Sequence, residues 1–194
     1  MPSTASTRPA HDPAAQTIRP APPIGAESAA DATGTLLYQL VLATGATQVV
    51  ACGSAADSRI VPIAAALRDN GRGRIVSCQP DTARALSALA ALEQAGLTAY
   101  ADVLEGDARD VLPCAPGPVD LLVLGAPAER LLPVLRAVEP RLLPGAMVVA
   151  CPAGDGVGTG RSADLLAHVR RPDSGYVSLP LPLDGGLEMA VRAL

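Results

Sequence analysis

The sequence predicts an α/β protein, a doubly wound sheet of about seven strands closed by a C-terminal antiparallel hairpin. Three observations predict it. Short apolar runs alternate with helical patterns from Gln48 onward. The run Val119–Gly125 is apolar apart from Asp120, as a parallel strand buried on both faces is. Tyr176–Leu181 and Leu187–Ala193 flank Asp184-Gly185-Gly186 and read as two strands joined by a tight turn.

In order, Met1–Pro23 carries six prolines among Ala, Ser and Thr and reads as a disordered tail, so the domain is expected over residues 30–194 and the tail over 1–29. Asp31–Thr44 is a helix with Leu36, Leu37, Leu40 and Val41 inward, ended by Gly45. Strand Gln48–Cys52 follows, then helix Arg59–Asp69 with Ile60, Ile63, Ala64 and Leu67 inward and Pro62 tolerated in its first turn. Strand Arg74–Cys78 precedes a helix that begins at Pro80, runs to Gln94 and buries Leu86, Leu89 and Leu92. Thr98–Leu104 is the third strand, and a short helix after Asp107 stops at Pro113. Glu129–Val138 is a helix perturbed by Pro133, Leu142–Ala150 holds a turn and a strand, Ala153–Gly160 is a glycine-rich loop, and Ser162–Arg170 is the last helix.

Composition narrows the function classes. A chain of 194 residues fits one domain with a full core. Aromatic residues amount to three Tyr, so Ala, Val and Leu must fill that core. A net charge of −4 argues against a nucleic-acid partner. All 15 basic residues other than His are Arg, which excludes a lysine base or Schiff base. The four cysteines lack C-x-x-C spacing, no apolar run reaches membrane-span length and no signal pattern opens the chain, so a reduced, cytoplasmic setting without a membrane partner is expected.

The organising stretch is Thr47–Asp57, a buried strand ending in the small residues Gly53, Ser54, Ala55 and Ala56. Such a turn lets a ligand approach the backbone at the carboxyl end of a strand, where an open sheet reverses its strand order. Later pieces keep a related order: Gly34-Thr-Leu-Leu-Tyr38, Gly73-Arg-Ile-Val76, Ala95-Gly-Leu97, Leu104-Glu-Gly-Asp-Ala108, Val119-Asp-Leu-Leu-Val-Leu124, Leu132-Pro-Val-Leu-Arg136, Glu139–Ala146 and Leu179-Pro-Leu-Pro-Leu183 with Gly186-Leu-Glu188. From about Ala30 to Leu194 the chain resembles the class I S-adenosylmethionine-dependent O-methyltransferases, in particular the small bacterial catechol/caffeoyl-CoA-like group. The resemblance implies a Rossmann-like methyltransferase fold, S-adenosylmethionine at the ends of the first three strands, a small hydroxylated acceptor and a homodimer.

Carried over residue by residue, the resemblance places the cofactor against Gly53, Ser54, Ser77, Gln79, Gly106, Asp107 and Ala108. Asp107 takes the position that contacts the adenine amino group in the family; it is equally suited to cap the helix behind it. Several family positions have changed. Ala51 and Asp57 stand where an acidic residue and a glycine are usual, and Ser77-Cys78-Gln79 stands where a ribose-binding carboxylate is usual. The family's metal ligands and lysine align with Gly125, Ala128, Cys151 and Pro152, which offer no hard oxygen side chain, so no magnesium is expected. Asp120, Asp155 and Glu129 are the remaining nearby carboxylates. Cys52, Cys78 and Cys151 each end a predicted strand and read either as small buried hydrophobes or as a thiolate cluster for a soft metal. His168 reads as part of a solvated face. Two functions follow: a metal-independent methyltransferase, or an inactive relative that binds a partner.

Overall fold

A computed structural model describes residues 31–53, 59–112, 117–151 and 162–193. Its strands are β1 Gln48–Cys52, β2 Arg74–Gln79, β3 Ala101–Glu105, β4 Val119–Leu124, β5 Leu142–Ala150, β6 Tyr176–Leu181 and β7 Leu187–Arg192. Its helices are α1 Ala32–Thr44, α2 Ile60–Asp69, α3 Thr82–Ala95, α4 Ala108–Val111, α5 Ala128–Val138 and α6 Ala163–Val169. The seven strands form one sheet in the order β3-β2-β1-β4-β5-β7-β6. Pairs from β3 to β5 are parallel, and β7 is antiparallel to both β5 and β6. The doubly wound sheet with its terminal antiparallel pair is therefore present, and β7 lies inside the sheet with β6 at its edge. The proposed tail lies outside the described residues.

Alternation along the strands sends side chains into two layers. Val49, Ala51, Ile75, Leu121, Val123 and Val149 pack against α1, α2 and α3. Val50, Cys52, Val76, Cys78, Leu122, Leu124 and Val148 pack under α5 and α6. Two connections fix the sheet at its middle. Asp120, near the amino end of β4, accepts from the N–H of Thr47 (2.7 Å), the Thr47 hydroxyl (2.9 Å) and the N–H of Gln48 (3.0 Å). At the other end Gly125 N–H donates to the Cys52 carbonyl at 2.7 Å.

Several elements differ from their sequence reading. α3 starts at Thr82, because Asp81 rather than Pro80 caps it, accepting from Arg84 N–H at 2.9 Å. Its buried face is Ala85, Ala88 and Leu92, whereas Leu86 and Leu89 are 62% and 40% exposed. Leucines three apart drift around a helix, while positions i, i+3 and i+7 stay on one face. β3 starts at Ala101 because a 3-10 turn, Thr98–Tyr100, intervenes after the left-handed Gly96 cap. β1, β5 and β6 keep their expected bounds, and the ends of the remaining elements move by one residue. Within β5 the register to β4 shifts between Val119 and Leu121, which accommodates the exposed Leu143–Gly145.

Candidate functional site

The strand order reverses between β1 and β4, since the chain winds outward to β3 and returns on the other side of β1. In open sheets, ligands settle at the carboxyl ends on either side of such a point. A cleft of about 510 Å³ lies there. Its floor is Cys52, Gly53 and Cys78; its walls are Pro80, Asp81 and Arg84, then Gly106–Arg109, and Ala126–Pro127 with Glu129, Arg130, Pro133 and Val134 of α5.

Gly53 has φ +92°, a conformation that favours glycine. A Cβ at this position would lie 2.6 Å from Ala126 N and 2.7 Å from the Gly125 carbonyl carbon. The close approach that this glycine permits is thus made, on that side, by the turn after β4. Gly106, with φ +135°, turns the chain out of β3 while its N–H donates to the Gln79 carbonyl at 2.9 Å. Asp107 then caps α4, accepting from Arg109 N–H at 2.9 Å. The Arg109 guanidinium grips the same carboxylate at 2.9 and 2.7 Å. That grip holds the Asp107 carboxyl well below the usual carboxylate range. Arg84 pairs with Asp81 at 3.3 Å and Arg109 with Asp107, and Arg130 and Glu129 also line the cleft, so the rim carries both signs of charge.

Of the residues singled out in the sequence, Gly53, Gly106, Asp107 and Ala108 meet in this cleft. Ser77 and Gln79 are fully buried, and Gln79 Nε2 donates to Ser77 Oγ at 2.9 Å. Both alternate with Cys78 on β2 and so point away from the cleft, towards the α2 side. The Gln79 Oε1 has no partner among the described residues. Ser54 and Asp57 lie outside the described residues. The arginines were not singled out by sequence; Arg109 two residues after Asp107 and Arg130 in the first turn of α5 were the available signals.

The donor set does not fit a hard divalent cation. Gly125 has no side chain, and Ala128 opens α5. Cys151 packs into the α1 and α2 layer, opposite Cys52 and Cys78, and burial pushes its thiol up to about 11. The three cysteines therefore do not gather, because an odd offset along adjacent strands reverses the face. Asp120 sits at the amino end of its strand, engaged with Thr47 and Gln48, far from the cleft. Glu129 is on the cleft wall, and Asp155 and Pro152 lie outside the described residues. Among the described residues, no group of three or more His, Cys, Asp and Glu side chains gathers to hold a metal. His168 is not on a solvated face. Its Nε2 lies 2.7 Å from Glu139, whose carboxylate also accepts from Tyr176 OH at 3.0 Å, at the amino end of the sheet.

A family profile described as a methyltransferase domain matches residues 50–150, just over half of the chain. The chain belongs to this methyltransferase family. No curated protein sequence matches it. Solved structures share the fold. The O-methyltransferase TomG of Streptomyces achromogenes, solved with SAM, is 22% identical with a TM-score of 0.67, over 84% of this chain and 80% of that one. An O-methyltransferase from Bacillus cereus, solved with SAH, is 19% identical with a TM-score of 0.66, over 82% and 80%. A cofactor-bound protein from MTB is 21% identical with a TM-score of 0.72, over 89% and 84%. The sheet order and the C-terminal antiparallel strands of this methyltransferase-family chain are thus those of the class I fold. No described helix is long and apolar enough to cross a membrane.

Proposed function

We propose that this chain is an S-adenosylmethionine-dependent methyltransferase that transfers a methyl group to a small hydroxylated acceptor without a divalent metal. The observation that carries the reading is the cleft at the strand-order reversal, lined by Gly53 and Gly106-Asp107-Ala108, in a chain of the methyltransferase family. Asp107 has room for a ligand. Three Arg109 donors reach its carboxylate, and a carboxylate offers about four acceptor positions. One amino group of an adenine ring can take the remaining position. Pro80, Pro127, Pro133 and Val134 supply apolar walls for a flat ring.

When bound, the cofactor supplies a sulfonium-activated methyl group, so an acceptor held in line needs little further activation. The chain's contribution is then positioning and exclusion of water. Neither a lysine nor a described histidine near the cleft is present to remove a proton. This suits an acceptor whose hydroxyl is already acidic.

A second reading has its own observation. Gln79, in the position of the ribose carboxylate, is buried against Ser77 rather than turned to the cleft. That arrangement favours an inactive relative that keeps the fold for binding. Calorimetric titration with S-adenosylmethionine and S-adenosylhomocysteine, with and without magnesium, separates the two. The methyltransferase reading expects micromolar binding indifferent to magnesium, weakened about tenfold or more in Asp107→Ala by loss of one charge-assisted hydrogen bond. No binding of either compound at millimolar concentration would end that reading.

A further inference from the structure

Cys52 and Cys78 are direct neighbours. They are partners in the parallel register of β1 and β2, and both side chains fall on the α5 side of the sheet. Gly53 N–H donates to the Cys78 carbonyl at 3.2 Å, which holds the two strands in register at this point. Each thiol is almost fully buried, at 1% and 2% exposure, yet both form the floor of the cleft. The thiols therefore open only to what enters that cleft.

The spacing selects what can join them. Neighbouring strands lie about 4.8 Å apart, and in-register side chains on one face run parallel, so the two Cβ atoms keep about that spacing. A disulfide needs a Cβ separation of roughly 3.5–4.5 Å. Closing one here would draw together two inner strands of the sheet, each also paired on its other side. A bridging cation needs no such movement. Zinc–sulfur bonds are about 2.3 Å in four-coordinate sites and two-coordinate bonds are somewhat shorter, so a linear sulfur–metal–sulfur bridge spans roughly 4–4.6 Å, close to the strand spacing. Soft thiolates select soft cations such as Cu(I).

From this geometry we infer that Cys52 and Cys78 form a two-thiolate site for a soft, linearly coordinated d10 cation of the Cu(I) class. Binding replaces both thiol protons, so two protons are released per cation. The contact with Cys78 and burial hold the Cys52 thiol well above its ordinary value. The cost of ionising it is recovered only when a cation arrives with the ionisation.

The test is anaerobic titration of the reduced full chain with Cu(I), in competition with a chromophoric Cu(I) chelator. One Cu(I) per chain is expected in the parent protein and in Cys114→Ser/Cys151→Ser, which retains only this pair of the four cysteines. Cys52→Ser and Cys78→Ser should each weaken binding at least about 100-fold, with unchanged thermal melting of the copper-free protein. Affinity that survives in both single variants, or that is lost with Cys114 or Cys151 instead, would overturn the assignment. Should the single variants not fold, X-ray absorption of the loaded Cys114→Ser/Cys151→Ser protein decides. Two sulfur neighbours in line support the site; three or more neighbours, or nitrogen and oxygen neighbours, refute it.

Discussion

At the residue scale, Asp120 is a carboxylate that serves the fold, at the end of β4 opposite the cleft. Its carboxylate accepts three hydrogen bonds from Thr47 and Gln48 and ties the start of β1 to β4. Removing it leaves two backbone N–H groups and a hydroxyl without their acceptor. Asp120→Ala should therefore cost about 2–3 kcal/mol, read as a lowered urea midpoint at unchanged slope. An unchanged midpoint would mean that water replaces the carboxylate. Asp107 is the mirror case. Its capping role is visible in the sequence because a short polar residue precedes a helix, and the structure adds what no local pattern shows, the return grip of Arg109. His168 was illegible for a related reason. Its partner Glu139 lies 29 residues away, and a one-dimensional pattern sees only the surface-like flank of Arg170 and Arg171.

At the element scale, the N-terminus of α1 is tied to the turn between β6 and β7. Thr33 N–H donates to Asp184 at 2.8 Å, and Asp184 holds a left-handed φ of +46° to reach it. The Thr33 bond, with Arg59 nearby, lowers the Asp184 carboxyl below its ordinary value. A carboxyl lowered on folding stabilises above its unfolded value of about 3.9 and loses that contribution as pH falls through the folded value. Asp184→Asn should thus lower stability at pH 7, and the difference from the parent should shrink towards zero as both are taken to strongly acid pH. Paired urea titrations across pH measure it; a difference that does not shrink on acidification would show that the carboxylate charge is not the cause. The strands were legible because β1 and β4 are apolar throughout the paired segment. The face of α3 was not, because alanines fill it while Leu86 and Leu89 face solvent. Leucine size and helix phase point to different faces of α3, and packing on the sheet selects the face of Ala85, Ala88 and Leu92.

At the scale of the whole molecule, the sheet order was readable from the alternation of strand and helix and from the hairpin, since right-handed crossovers leave few alternatives. The cleft was only half readable. Its floor follows from the turn after β1, but its far wall comes from α5, whose Arg130, Pro133 and Val134 reach the cleft only through the return of β4 to the side of β1. The same topology gives a backbone role to Gly125, which the resemblance aligns with a metal ligand. Gly125 now closes onto Cys52, and the turn it makes packs against Gly53. The proposed function places the cofactor in this cleft. Hydrogen–deuterium exchange of the full chain, with and without S-adenosylhomocysteine, tests it most directly. Slowed exchange is expected in Gly106–Leu112 and Ala126–Val134, with the Thr44–Thr47 and Leu143–Met147 segments at the amino end unchanged. Protection confined to that amino end, or none at saturating ligand, would contradict it.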